Sequence, residues 1–249
     1  VRDNMIEIDT IGWDGNYSNG YSVRGISLNV ATLSIENTTI DSNWIIFKNG
    51  NYRGSHEFDR NAHGIRWYKV IREETPDKQI AITNNVIENA LANGIECYCA
   101  GQAFNVSHNT VVNPGQATER AGGGLANHYG RGISMTGVFK HSKVNDNTII
   151  DTQDNPTLDM PFVLMPGADT GNYANVALNN YASGYQGALV LARDNRDGWR
   201  FSAHDVPSFT PPTGKFGARS EIMLADGRLY RQIASPSGSE WVELNISQE

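Results

Sequence analysis

Val106-Ser107-His108-Asn109-Thr110-Val111 and Val144-Asn145-Asp146-Asn147-Thr148-Ile149 are the same phrase written twice: apolar-x-[Asn/His/Asp]-[Asn/Thr]-[Thr/Val]-apolar. The phrase also fits Ile35-Glu36-Asn37-Thr38-Thr39-Ile40 and Ile82-Thr83-Asn84-Asn85-Val86-Ile87, with a weaker copy at Ala177-Leu178-Asn179-Asn180-Tyr181-Ala182. A second phrase, Gly-apolar-x-apolar, precedes most copies: Gly25-Ile26-Ser27-Leu28, Gly64-Ile65-Arg66-Trp67, Gly94-Ile95-Glu96-Cys97 and Gly132-Ile133-Ser134-Met135. Pro161-Phe162-Val163-Leu164 and Gly187-Ala188-Leu189-Val190 read as degenerate versions of it. Ile95 precedes Val106 by 11 residues, and Ile133 precedes Val144 by 11. Units therefore recur at 39, 30, 38, 29 and 26 residues, measured between Ile26, Ile65, Ile95, Ile133, Phe162 and Ala188.

A unit of this size cannot bury its own apolar face, whereas stacked neighbours bury a continuous one. Asn and Gly then fall above one another at the same turns, where amide ladders form along the stack. The pattern predicts an all-β chain in the form of a parallel β-helix over residues 1–193. An antiparallel sandwich with Asn-rich hairpins would explain the turns, but not the return of two phrases in one order. Residues 194–216 break the pattern with a polar run and then Pro207, Pro211, Pro212 and Gly214, which reads as a linker. Residues 217–249 read as a small C-terminal antiparallel β segment. Its three strands are Arg219–Ala225, Arg228–Ala234 and Glu240–Ile246, with Asp226-Gly227 as the first turn. A meander of this size is unstable alone, so it packs on the end of the helix or on copies of itself.

Composition agrees with this reading. The 249 residues include 26 Asn and 25 Gly, both poor helix formers, while 10 Tyr, 8 Phe and 5 Trp argue against disorder. The formal charge of −7 argues against a nucleic-acid partner. No apolar run approaches the roughly 18 residues of a membrane span, so no membrane insertion is expected. The chain starts on Val1 rather than Met, which leaves room for an upstream part. Cys97 and Cys99 lie two apart, on one face of a strand, and read as small core residues. No metal or cofactor is expected.

Unit length points to a site. The excess residues fall between the Asn phrase and the next Gly phrase, at Asp41–His63 and Asn113–Arg131, while Glu88–Asn93 between them is short. Two long loops would wall a groove over Gly94–Tyr98. If Ile65, Trp67, Ile95 and Cys97 point inward, then Arg66, Tyr68, Glu96, Tyr98, Ser134 and Thr136 point out as neighbouring rows. An arginine beside a carboxylate, flanked by tyrosines, suits a sugar. The plainer alternative is a solvated ion pair worth under about 1 kcal/mol.

The loops add His56, Glu57, Asp59, Arg60 and His63 on one side, and Glu119, Arg120, His128, Tyr129 and Arg131 on the other. Glycoside hydrolysis needs two carboxylates roughly 5–10 Å apart. Glu96 with Glu57 or Asp59 could meet that need. A lyase would need a base and a cation against a uronate, and Tyr98 or a loop His with Arg66 or Arg131 could meet it equally.

The Gly-Ile-x-apolar and apolar-x-x-Asn-Thr-Ile phrases, across roughly residues 20–192, resemble the right-handed parallel β-helix family of polysaccharide-acting proteins. That family includes pectate-lyase-like enzymes, mannuronan epimerases and bacteriophage tailspikes. The stretches Ile222–Tyr230 and Glu240–Leu244 resemble the small β segment that ends phage tail proteins. There is no Asp-Pro-His epimerase signature and no calcium-ligating Asp cluster. The resemblance implies a homotrimeric tailspike, carried on the virion tail and extracellular, that binds and cleaves a bacterial capsular or O-antigen polysaccharide. Hydrolysis is the favoured chemistry. The expected catalytic residues are Glu96, Glu57 and Asp59, with Arg66, Tyr68, Tyr98, His63, His128, Tyr129 and Arg131 as substrate contacts. The alternatives are a spike that binds its receptor without cleaving it, and a lyase or epimerase acting on uronates.

Overall fold

The computed structural model describes residues 1–9, 24–29, 33–48, 63–69, 75–116, 130–165, 174–187, 189–192, 199–206, 221–224, 226, 228–235 and 238–244. The chain is all-β, and no helix occurs among the described residues. Its strands are β1 (Met5–Asp9), β2 (Ile26–Asn29), β3 (Thr39–Asp41), β4 (Trp44–Lys48), β5 (Ile65–Tyr68), β6 (Asp77–Lys78), β7 (Ala81–Thr83) and β8 (Val86–Glu88). They continue as β9 (Ile95–Gln102), β10 (Asn105–Ser107), β11 (Thr110–Val112), β12 (Arg131–Lys140), β13 (Lys143–Asn145), β14 (Thr148–Ile150), β15 (Met160–Met165) and β16 (Asn175–Ser183). The last are β17 (Val190–Ala192), β18 (Trp199–Val206), β19 (Glu221–Leu224), β20 (Leu229–Ser235) and β21 (Gly238–Leu244).

Three parallel rows emerge. The first runs β2-β5-β9-β12-β15-β17, the second β3-β7-β10-β13-β16, and the third β1-β4-β8-β11-β14-β16. Successive passes visit the rows in one order, as β9, β10, β11 and then β12, β13, β14. The long β16 belongs to both the second and third rows and joins them into one sheet, and neither sheet closes on itself.

The registers place like on like. Ile26, Ile65, Ile95, Ile133, Phe162 and Val190 align in the first row, and Ile40, Ile82, Val106 and Val144 in the second. In the third row Ile45, Ile87, Val111, Ile149 and Ala182 align. These side chains are buried and form one continuous core. Burying each Ile or Val contributes roughly 1.5–3 kcal/mol, which is why a repeat of apolar phrases suffices to set the register. Cys97 and Cys99 are free thiols inside this core, and burial pushes both thiols up.

The Asn phrase makes the corner between the second and third rows. Ser42, Asn84, His108, Asp146 and Asn179 turn left-handed, with φ of 57°, 55°, 58°, 55° and 55°. Asn, Asp and His tolerate that conformation better than other side chains. The following residues, Asn43, Asn85, Asn109, Asn147 and Asn180, are buried and bond in series. Side-chain amides donate to the next carbonyl oxygen at 2.9 Å (Asn43 to Asn85), 2.9 Å (Asn85 to Asn109), 3.1 Å (Asn109 to Asn147) and 3.0 Å (Asn147 to Asn180). The Gly phrase makes the entry to the first row. A Cβ on Gly94 would lie 2.4 Å from Val111 Cγ1, so the bend before Ile95 admits no side chain.

Several expectations need correction. Ile35–Ile40 is not the first member of the Asn series. Asn37 is exposed, and the true counterpart is Ile40–Ile45, since Ile40 pairs with Ile82 and Trp44 with Val86. Ser42 and Trp44 hide the motif there, while the sequence of another corner imitates it. The last unit anchors on Val190 rather than Ala188; period-two alternation makes either choice agree with the apolar pattern. Strand β4 occupies part of the expected Asp41–His63 loop. The 194–216 linker contains β18, which pairs in parallel with β16 and β19 because Trp199, Phe201 and Ala203 alternate into the core. The meander β19-β20-β21 is antiparallel as expected, and Ile222 and Leu224 tie it to that core.

Candidate functional site

The outward positions of the first row carry the polar cluster. Registers set Ser27 opposite Arg66, Arg66 opposite Glu96 and Glu96 opposite Ser134. Two residues on, Asn29, Tyr68, Tyr98 and Thr136 form the neighbouring line. Because β5 and β9 bury Ile65, Trp67, Ile95 and Cys97, strand alternation forces Arg66, Tyr68, Glu96 and Tyr98 to the other face.

Arg66 Nε donates to Glu96 Oε2 at 2.8 Å. The same oxygen lies 3.1 Å from His63 Nε2. The Asn93 backbone N–H, in the short connection before β9, donates to His63 Nδ1 at 3.4 Å, so the imidazole lies between that connection and the carboxylate. Burial alone would push the Glu96 carboxyl up. The His63 ring and the Arg66 guanidinium against Oε2 outweigh it and hold the group at about 2. Glu96 is therefore a carboxylate at neutral pH. It can accept hydrogen bonds, position a cation or act as base or nucleophile, but it has no proton to give.

Tyr68 and Tyr98 stack with centroids 5.3 Å apart and planes 15° apart, and the Arg66 guanidinium sits 4.3 Å from the Tyr68 centroid. Ser134 and Thr136 share a hydroxyl contact of 3.3 Å. Ser134 and its β15 partner Val163 are fully buried although both occupy outward positions. The accessible part of the Arg66 line therefore ends at Glu96, whereas in the Tyr68 line Tyr98, Thr136 and its partner Met165 all stay partly exposed.

No family model, no curated protein and no solved structure matches this chain.

His63 was expected among substrate contacts, but it is fully buried behind Glu96 and acts on that carboxylate instead. Arg131 is also buried, one position before Gly132, in the line of His63 and Asn93 rather than on the outward row of Arg66 and Glu96. Glu57, Asp59, His128 and Tyr129 lie outside the described residues, as do His56, Arg60, Glu119 and Arg120. Among the described residues no group of three or more His, Cys, Asp or Glu converges as a metal site would require.

Arg24 is the residue that sequence reading missed. Burial, then the like charge of Arg66, lowers its guanidinium below the usual value, with Glu96 opposing, so it belongs to the same cluster. Its side chain donates to Ser27 Oγ at 3.3 Å. The signal was present: Arg24 stands before Gly25 as His63 stands before Gly64.

Proposed function

We propose that the three rows wind as a right-handed parallel β-helix and that the chain is the glycan-binding part of a tailspike-like depolymerase. In this reading it binds and hydrolyses a bacterial capsular or O-antigen polysaccharide. The observation that carries the proposal is the pairing of Arg66 with Glu96 beside the stacked Tyr68 and Tyr98 on one outward strand face. Directional charged groups next to aromatic rings, on a rigid surface, match a sugar's hydroxyls and its apolar C–H faces. Three copies would join through residues 217–249 on an extracellular phage tail.

Hydrolysis assigns Glu96 the role of base or nucleophile, because a group held at about 2 cannot serve as the acid. The acid then comes from the 49–62 segment, with Glu57 and Asp59 as its candidates. The same low value makes Glu96 a weak base, and this favours one second reading: a receptor-binding spike without cleavage. A lyase is less well supported, since the Glu96 carboxylate beside Arg66 would set a like charge against a uronate approaching that guanidinium.

The test is to incubate the protein with purified capsular and O-antigen polysaccharides and determine binding and product masses. Hydrolysis predicts oligosaccharides carrying one added water per cut, abolished in Glu96→Gln. Products with an unsaturated uronate would contradict it. Binding with intact glycan would favour the receptor reading, and no binding to any member would overturn both.

A further inference from the structure

The contacts on Glu96 are uneven. Arg66 Nε and His63 Nε2 both approach Oε2, at 2.8 and 3.1 Å. Oε1 has no hydrogen-bond partner among the described residues. His63 sits on the buried side, with no exposed surface, and the carboxylate keeps 16% of its side chain exposed. The buried ring and the guanidinium thus anchor one oxygen and leave the other on the outer face. Arg66, 11% exposed, spends Nε on this pair and lays its guanidinium on Tyr68. Its two terminal NH2 groups have no hydrogen-bond partner among the described residues.

We infer that Glu96 Oε1 and the terminal NH2 groups of Arg66 form a clamp for two adjacent hydroxyls of an uncharged sugar, with His63 as the positioning residue. This rests on the glycan reading above and narrows it to a substrate class. An ionised carboxylate only accepts hydrogen bonds and a guanidinium only donates them. A ligand that satisfies both at neighbouring positions must offer a donor beside an acceptor. One hydroxyl of a vicinal pair donates to Oε1, and the oxygen of the other accepts from Arg66. A sugar carboxylate offers no donor and meets Oε1 with like charge, which is a repulsive element against acidic residues at this position. Arg24 does not reverse the preference, because the atom that faces the ligand, rather than the summed charge, decides which group can approach. The Tyr98 ring beside the clamp supplies apolar area for the sugar's C–H face.

The experiment uses the whole chain and an array of purified bacterial capsular and O-antigen polysaccharides, with each uronate-containing member also present in carboxyl-reduced form. Neutral and carboxyl-reduced members are expected to bind about tenfold or more tighter than their acidic parents. Glu96→Gln removes the like charge and is expected to bring the two forms within about twofold of each other. Tighter binding of the acidic parents, lost on carboxyl reduction, would overturn this inference while leaving the glycan reading standing. No binding to any member, in either form, would overturn both. The comparison of native and reduced glycans is made on the unsubstituted protein, so it holds even if a variant fails to fold.

Discussion

Asn109 donates its side-chain amide to the Asn147 carbonyl oxygen at 3.1 Å, one residue past the corner where His108 turns left-handed. The same amide also bonds Ile82 O at 2.9 Å and Ser107 O at 3.2 Å, and Asn109 Oδ1 accepts from Asn85. One buried side chain thus ties three successive passes of the chain. Stacking is specified here by directional bonds as well as by apolar ladders.

Replacing Asn109 should therefore be costly. Asn109→Ala leaves buried donors and acceptors of Asn85, Asn147 and the backbone unpaired, for an expected loss of about 2–4 kcal/mol. Asn109→Asp keeps the shape but turns an acceptor toward three acceptors, and it should cost at least as much at neutral pH. Urea-unfolding midpoints of the two variants check this.

A second prediction concerns Asp77, which accepts from Lys69 Nζ at 2.9 Å, Trp67 Nε1 at 2.8 Å and the Ile35 N–H at 2.9 Å. Lys69 and Asp77 are both buried. Removing one partner of such a pair costs about 3–5 kcal/mol. Asp77→Ala leaves Trp67 Nε1 and the Ile35 N–H unpaired and the buried Lys69 ammonium with only the Thr75 carbonyl oxygen, at 2.7 Å, and no counter-charge, whereas Lys69→Met leaves Asp77 two neutral partners. Asp77→Ala is expected to be the more destabilising in thermal unfolding.

The Glu96 pair predicts a pH dependence of definite sign. The folded carboxyl is held at about 2, below its ordinary 4.5, so the folded state favours the ionised form. This contribution is fully present above about pH 4.5 and is lost as pH falls toward about 2, with a total of up to about 3 kcal/mol. Glu96→Gln should unfold with a weaker pH dependence across that acid window, measured as denaturant midpoint against pH.

Much of this arrangement was legible in the sequence, because the repeated phrases coincide with physical necessities. Gly94 and Gly132 mark a bend with no room for Cβ, and alternation from Ile95 and Ile133 sets the outward faces. The first pass was misread because Asn37 occupies a different corner, whereas Ser42 and Trp44 replace the expected residue types at the true one. The Lys69–Asp77 pair was illegible, since charged residues in a polar stretch look solvated until a core closes over them. His63 looked like a ligand contact for the same reason: residue type carries chemistry, but burial decides whether a substrate can reach it. Trp199, Phe201 and Ala203 carried a strand signal that the surrounding Pro, Gly and charged residues obscured.

The most direct measurement of the central claim is a crystal structure of the protein with an oligosaccharide from a polysaccharide that it binds. The expected result is a sugar on the outward face of β5 and β9, with hydroxyls within hydrogen-bond distance of Glu96 Oε1 and Arg66 and its ring beside Tyr98. An oligosaccharide seated away from these three side chains, with Arg66 and Glu96 undisturbed, would contradict it.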